Sequence, residues 1–425
     1  MTKKILGLVL LTLLVFMSGC GDRAAQEKIP VKEEKLAVNP FSPATDCSFC
    51  HESFYSEWRG SMHNFAFIEP FYEKMAQTAA KETKGFTDKY CANCHVPVGV
   101  YTGQVPPVDG SGADSLSREG VSCDFCHVVS GSKGIGNGSF EVDPGATKYG
   151  SLTDADSPIH KTEFKQLFKK AEYCGMCHSV THPQNGLFLE TTYEEWLNGP
   201  YAKEGIVCQD CHMTPTPGVK KPNPGKTAKN GPDRNHIYSH SIVGGNFWIT
   251  EILGSKNAAK LARERLMGAA KVEIIKVTRQ DGKAKIKVRV SNVGAGHYLP
   301  TGLTEARQLW LEVVAQDSEG DEIFSSGKLD QEGNLPKGTV IYHTEVADQN
   351  GNITPKFWQA AKIVKDYRIP PKGYRDEEFL LPLAVKSITI KLNYRSVDQA
   401  FLDELFGERK YTVPFLTIAE TKKSF

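Results

Sequence analysis

The sequence predicts two regions of different architecture: an α-helical, loop-rich domain built around covalently attached groups, followed by an antiparallel β-sandwich. Three observations predict it. Cys-x-x-Cys-His occurs five times between Cys47 and His212. That stretch supplies only about 33 residues per motif, too few for a conventional core around each, so the attached groups must themselves form much of the buried apolar matter. Beyond residue 271 the side-chain period changes to two, the period of half-buried strands.

The five motifs are Cys47/Cys50/His51, Cys91/Cys94/His95, Cys123/Cys126/His127, Cys174/Cys177/His178 and Cys208/Cys211/His212. Two cysteines three apart can form thioethers to the vinyl groups of one haem, and the adjacent histidine supplies the proximal iron ligand. Zinc is the competing reading, because paired cysteines also build structural zinc sites. Such sites usually take two pairs, and five pairs leave one over. With 12 histidines in 425 residues, a histidine at the fifth position of all five motifs has a chance probability of roughly 10⁻⁸. A redox Cys-x-x-Cys accounts for one motif and not for five. The expected cofactors are therefore five covalently bound haem c groups, with iron as the metal.

Ten of the 11 cysteines lie in motifs, and the spare one is Cys20. Residues 1–20 carry Lys3 and Lys4 and then an apolar core from Ile5 to Phe16, too short to span a bilayer and typical of a secretion signal. Met17-Ser18-Gly19-Cys20 resembles a bacterial lipobox, so residues 1–20 are read as a lipoprotein signal peptide and Cys20 as the lipid-bearing membrane anchor. Gly21 is not the Asp of an inner-membrane retention signal, which leans the location toward the outer membrane. Covalent haem attachment independently requires export, to the periplasmic side of the outer membrane or exposed on it. Residues 21–45 are polar and Pro-containing and read as a flexible tether. The 51 basic and 50 acidic side chains nearly balance, so no nucleic-acid partner is implied.

Residues 46–245 form the expected haem domain. After the first motif, Phe54, Tyr55 and Trp58 recur at helical spacing, and His63 near the end of that helix is a candidate distal ligand for a neighbouring haem. Segments 101–120 and 130–150 are rich in Gly, Ser, Asp and Pro and read as loops. His160, before an expected Lys-rich helix leading to Cys174, is the next distal candidate. His182 stands too near His178 to reach the opposite face of that haem. Glu194-Glu195-Trp196 echoes Glu57-Trp58, a degenerate internal repeat without the histidine. The 214–235 loop ends in His236 and His240, two further candidates. Met75 is the one loosely held methionine, so the distal supply favours bis-histidine iron of low potential, which suits an anaerobic respiratory chain.

Residues 246–270 read as a connecting helix with Ala258, Leu261, Ala262 and Leu266 on one face. In 271–425, Ala284, Ile286, Val288 and Val290 alternate with polar residues, as do Ile388, Ile390, Leu392 and Tyr394. Leu309, Leu311 and Val313 form another strand, turned at 317–320. One loop stands out, 292–302, where Gly294, Gly296 and Gly302 permit positive φ and close backbone approach. His297 within it is either a distal ligand contributed across the domain boundary or a locally packed turn histidine. His343 is an ordinary strand residue.

The five motifs, Trp58-Arg59-Gly60-Ser61-Met62-His63, Cys208-Gln209-Asp210-Cys211-His212-Met213 and Gly296-His297-Tyr298-Leu299-Pro300-Thr301-Gly302 resemble the bacterial multihaem cytochromes of the c-554 type. That family is related in its haem packing to octahaem hydroxylamine- and tetrathionate-processing enzymes. The fold so implied is an α-helical/loop-rich multihaem cytochrome domain followed by an antiparallel β-sandwich. The resemblance also implies parallel and perpendicular haem pairs, distal histidines supplied between segments, and electron transfer. His63 matches the distal histidine after the first motif. The departure is five motifs where the c-554 type has four, which leaves the pairing of each distal histidine open.

Three functions follow as expectations. The first is a non-catalytic electron carrier working between periplasmic or outer-membrane redox partners such as other cytochromes. The second is a reductase of a small nitrogen or sulfur compound at a five-coordinate haem, which needs an open iron and donors aimed at the substrate. The third is a binding module in which the sandwich docks a partner protein or surface polymer and the haems only serve it; assembly of the chain into an oligomer or filament is a further expectation.

Overall fold

Each motif is wound into one tight turn, because two residues between the cysteines and a histidine directly after them fit a single helical repeat. In the computed structural model, which describes residues 39–425 apart from residue 281, the His51 and His178 amides donate to the carbonyls of Cys47 and Cys174, both at 2.9 Å. The second, third and fifth motifs sit in the helices Asp88–His95, Cys123–His127 and Cys208–His212. Ser122 caps the third, accepting from the Phe125 amide at 3.3 Å, and Asp210 closes the fifth by accepting from the Val207 amide at 3.0 Å.

Between motifs the chain is helical where apolar spacing allows. Helix Glu52–Arg59 buries Trp58. Helix Pro70–Thr83 starts with proline in its first turn and with Glu69 accepting from the amides of Phe71 and Tyr72 at 2.9 and 2.7 Å. It stops where Lys84 turns left-handed, at φ 56°. The expected loops carry more structure than their composition suggests, including a 3₁₀ turn at Ser117–Glu119 and the hairpin Val129–Ser132 with Phe140–Val142. The Lys-rich segment before Cys174 is a strand, Lys161–Phe164, parallel to Thr147–Gly150, followed by a 3₁₀ turn at Gln166–Lys169. Backbone pairing to Thr147–Gly150 takes the place of the expected helix.

The signal, Cys20 and residues 21–38 lie outside the described residues. The last stretch of the expected tether, 39–45, is packed. Phe41 is buried against Tyr101, edge to face at 5.3 Å, and the Ser42 amide donates to Asp124 at 2.8 Å.

The connecting segment is two helices, Phe247–Ile252 and Lys256–Met267, broken at Leu253-Gly254. The sandwich follows. One sheet has the order Tyr374–Pro382, Lys283–Asn292, Ala270–Gln280, and the other Glu322–Ser326, Gln308–Gln316, Ser387–Arg395, Leu416–Ser424. Their pairings are antiparallel throughout. The alternating residues named above turn inward: Ile286, Val288, Val290, Leu309, Ile390 and Leu392 are all fully buried. This core does not stop at the sandwich. It continues through Phe247, Trp248 and Leu266 to Phe71 on the Pro70–Thr83 helix, and residues 39–425 form one compact unit.

Polar bonds stitch the same boundary. Glu82 accepts from Trp358 Nε1 at 2.6 Å and pairs with Lys356 at 2.9 Å. His182 Nε2 bonds the Trp358 carbonyl at 3.0 Å, and Asn185 donates to the Ala360 carbonyl at 2.8 Å. Buried Glu195 pairs with buried Arg368. Among the described residues no helix is long and apolar enough to cross a membrane.

Candidate functional site

All five motif histidines have Nδ1 engaged, which orients each ring and leaves Nε2 for a metal. His51, His95, His127 and His212 bond the carbonyls of Thr227, Ala66, Tyr149 and Val243 at 2.6, 2.9, 2.7 and 2.8 Å. His178 bonds Glu190 Oε1 at 3.3 Å. Enclosure alone would lower the His178 pKa, but the Glu190 carboxylate outweighs it and raises it, as a carboxylate that makes its ring a stronger ligand should.

Four of these rings face a second histidine from far along the chain. His51 and His160 have ring centres 6.4 Å apart, His63 and His178 6.3 Å, His127 and His240 6.3 Å, and His212 and His297 6.2 Å. The planes in each pair lie within 16–31° of parallel. An iron bound by two imidazole nitrogens at ~2 Å each would set the ring centres about 6 Å apart. The residues present therefore fit haem iron between four histidine pairs. On the far side of three pairs Nδ1 is again held by a carbonyl: His160 by Lys161 at 3.1 Å, His240 by Tyr238 at 3.1 Å and His297 by Tyr298 at 2.8 Å. His63 is the exception, its Nδ1 buried without a partner.

Burial, helped by the facing ring, pushes His212 down to about 4 and His240 to about 3, and burial with His178 and His95 nearby brings His63 to about 4. These rings are neutral at physiological pH, the state in which imidazole ligates.

The second motif differs. Tyr72 lies flat on the His95 ring, 4.0 Å between centres and 9° from parallel, and no described histidine faces it. The remaining three of the 12 histidines are engaged elsewhere. His182 is bonded through both nitrogens, and His343 lies 3.4 Å from Glu345. His236 does not join a motif histidine as expected. It sits edge-on to Tyr238 at 4.8 Å, with Nδ1 accepting from the Asn223 amide at 3.1 Å, because the 214–235 loop folds back across it. Met75 packs into the shared core.

The cysteines link the motifs to one another. The thiols of Cys47 and Cys123 touch, as do those of Cys94 and Cys177, and of Cys174 and Cys208. The first motif thus adjoins the third, and the fourth adjoins both the second and the fifth. Cys50 stands apart from the other motif cysteines: it is exposed, whereas the other nine are half-buried. The physical reason is its place in the chain. Helix Ala44–Ser48 ends just before it, its neighbour Phe49 is 78% exposed, and the first motif lies at the rim of the domain. There the 227–229 segment crosses the motif backbone, the Lys229 amide donating to the Cys50 carbonyl at 2.8 Å, and leaves the Cys50 side chain facing outward. Of the two sulfurs in this motif, Cys47 meets the third motif through Cys123.

Among the described residues no three His, Cys, Asp or Glu side chains converge into a metal cage. Burial pushes the Cys126 and Cys211 thiols up to about 11.

Residues 46–128 match the family model "Cytochrome c554 and c-prime". A solved structure described as a penta-heme cytochrome c552 from Thermochromatium tepidum is 19% identical and covers 91% of this chain and 99% of its own, with a TM-score of 0.63. The chain has a multihaem c-type cytochrome fold. Haem c is the cofactor of such cytochromes and electron transfer their general work. A structural-genomics target solved by X-ray aligns over 37% of this chain and 83% of its own, at 11% identity and a TM-score of 0.16, too low for any argument. No curated protein matches it.

Sequence reasoning missed Glu57 and Glu195. Glu57 accepts from the His240 amide at 2.6 Å. Glu195 accepts from the Tyr298 amide at 2.9 Å and from Thr301 Oγ1 at 2.7 Å. Their one signal was the repeated Glu-Trp pair. Of the three loop glycines expected to allow positive φ, only Gly302 has it, at 82°. Gly294 is needed for room instead.

Proposed function

We propose that this cytochrome carries five covalently attached haems and relays electrons between redox partner proteins. The observation that carries the reading is the four facing histidine pairs at the spacing of bis-histidine iron. His160, His63, His240 and His297 are then the distal ligands for the first, fourth, third and fifth motifs. When bound, haem iron supplies one-electron chemistry at a potential set by its two axial ligands. The chain's part is to fix those ligands through Nδ1 and to keep neighbouring motifs side by side, the first against the third and the fourth against the second and fifth. Export, a lipid on Cys20, an outer-membrane location and work in anaerobic respiration belong to the same proposal, supported by the leader, the lipobox-like residues and the chemistry of haem attachment.

A second reading is favoured by one observation, His95 without a facing histidine. An iron held there would keep an open position, where a small nitrogen or sulfur compound could be reduced. The test is carbon monoxide uptake by the fully reduced protein, together with its ferric electron paramagnetic resonance spectrum. The proposal expects roughly one carbon monoxide per chain and a single high-spin signal, with His51, His127, His178 and His212 all in low-spin centres. Uptake at several irons would contradict the four pairs, and none would remove the second reading.

A further inference from the structure

We infer that Glu57 and Glu195 are positioning residues, each the acidic half of a Glu-Trp clamp that grips a distal histidine segment and the motif facing it as one unit. The inference rests on the reading of His240 and His297 as iron ligands.

Glu-Trp occurs twice in the chain, at 57–58 and 195–196. Each copy sits on a short helix after one motif, Glu52–Arg59 after the first and Thr192–Leu197 after the fourth. Neither copy serves the motif it follows. Trp58 Nε1 donates to the Val121 carbonyl at 2.8 Å, two residues before Cys123, while Glu57 accepts from the amide of His240, the ring that faces His127. Trp196 Nε1 donates to the Ile206 carbonyl at 2.7 Å, two residues before Cys208. Glu195 accepts from Tyr298 and Thr301, one and four residues after His297, the ring that faces His212.

In both copies, then, the indole holds the approach to a motif and the carboxylate holds the segment bearing the opposite ligand of the same pair. The distance between facing rings is set by one rigid dipeptide rather than by two independent loops. A carboxylate suits the task because bonds from backbone amides to a charged acceptor are short and directional. Arg368 reinforces the second copy by pairing with Glu195 from the sandwich side, so this clamp also fixes where the sandwich meets the haem domain. The other two pairs, His51 with His160 and His63 with His178, are spanned in this way by neither dipeptide: the indole and carboxylate bonds run to the third and fifth motifs and the segments facing them.

The experiment compares Glu57→Ala, Glu57→Gln and Glu195→Ala with His240→Ala and His297→Ala in the haem-loaded protein, reading carbon monoxide uptake per chain and the high-spin ferric signal. Glu57→Ala should roughly double the wild-type uptake, approaching the level of His240→Ala, and Glu57→Gln, which keeps an acceptor oxygen, should restore much of the low-spin state. Glu195→Ala should open the His297 centre in the same way, and decides the matter alone if Glu57→Ala does not assemble. A merely structural role would lower the unfolding midpoint without opening an iron. If the histidine variants gain a binding site and the glutamate variants do not, the clamp is refuted and the ligand reading stands. If the histidine variants gain none, the ligand reading fails and the clamp with it.

Discussion

Gly294 is where the loop bearing His297 passes closest to its neighbours, and Gly294→Ala tests whether that passage holds the loop. A Cβ built there would lie 2.2 Å from the Gly268 carbonyl oxygen and 3.2 Å from Ala269 Cα. The obstacle is backbone at the end of the Lys256–Met267 helix, so no side chain can swing away. Relief requires about 1 Å of movement between helix and loop, and overpacking of this kind costs about 1–3 kcal/mol. The smaller entropy of an unfolded chain with alanine offsets about 0.4–1 kcal/mol of it. Gly296→Ala is the internal control, because its Cβ would meet only the Tyr201 ring, at 3.6 Å. Guanidinium unfolding followed by backbone circular dichroism should show Gly294→Ala less stable by about 1–2 kcal/mol and Gly296→Ala within about 0.5 kcal/mol of the parent. The loop movement should also weaken the low-spin signal of the centre that His297 joins. Equal stability of the two variants would refute the reasoning.

Two further outcomes follow from the core and from one buried carboxyl. Trp310 is fully buried between the strands and donates to the Gly327 carbonyl at 2.9 Å, so Trp310→Ala should cost about 3–5 kcal/mol in denaturant unfolding, and a loss under about 1 kcal/mol would contradict the packing described. Burial raises Glu69 to about 7 from an ordinary 4.5, outweighing the amides of Phe71 and Tyr72 that favour its charged form. The folded chain therefore keeps a proton that the unfolded chain has lost between those values. This contribution is complete below pH 4.5 and is lost as pH rises through about 7, an effect on the order of 3 kcal/mol. Unfolding midpoints measured across that range should fall less steeply in Glu69→Gln, and identical slopes would count against it.

The attachment motifs were legible because their chemistry is local, five residues that need no knowledge of the fold. The sandwich was legible for a related reason: Ala284 to Val290 and Ile388 to Tyr394 record on every second residue which side faces the core. The facing histidine pairs were not legible, since nothing near His127 in the sequence points to His240, and the choice between His236 and His240 depends on how the 214–235 loop folds. The outward setting of Cys50 was hidden in the same way, because its motif reads like the other four and only the rim position of the first turn separates them. His297 was left even between two roles for a like cause, its partner lying across a domain boundary. The Lys161–Phe164 strand was hidden because its stability comes from pairing with Thr147–Gly150 and not from its own composition. Glu57 and Glu195 look like ordinary helix-surface acids in one dimension, and only the crossing of a distant loop gives them a function.

The most direct test of the central claim is the intact mass of the mature chain together with its iron content. The account predicts five covalently added haems and roughly five irons per chain. A mass without the added tetrapyrroles, or bound zinc in place of iron, would contradict it.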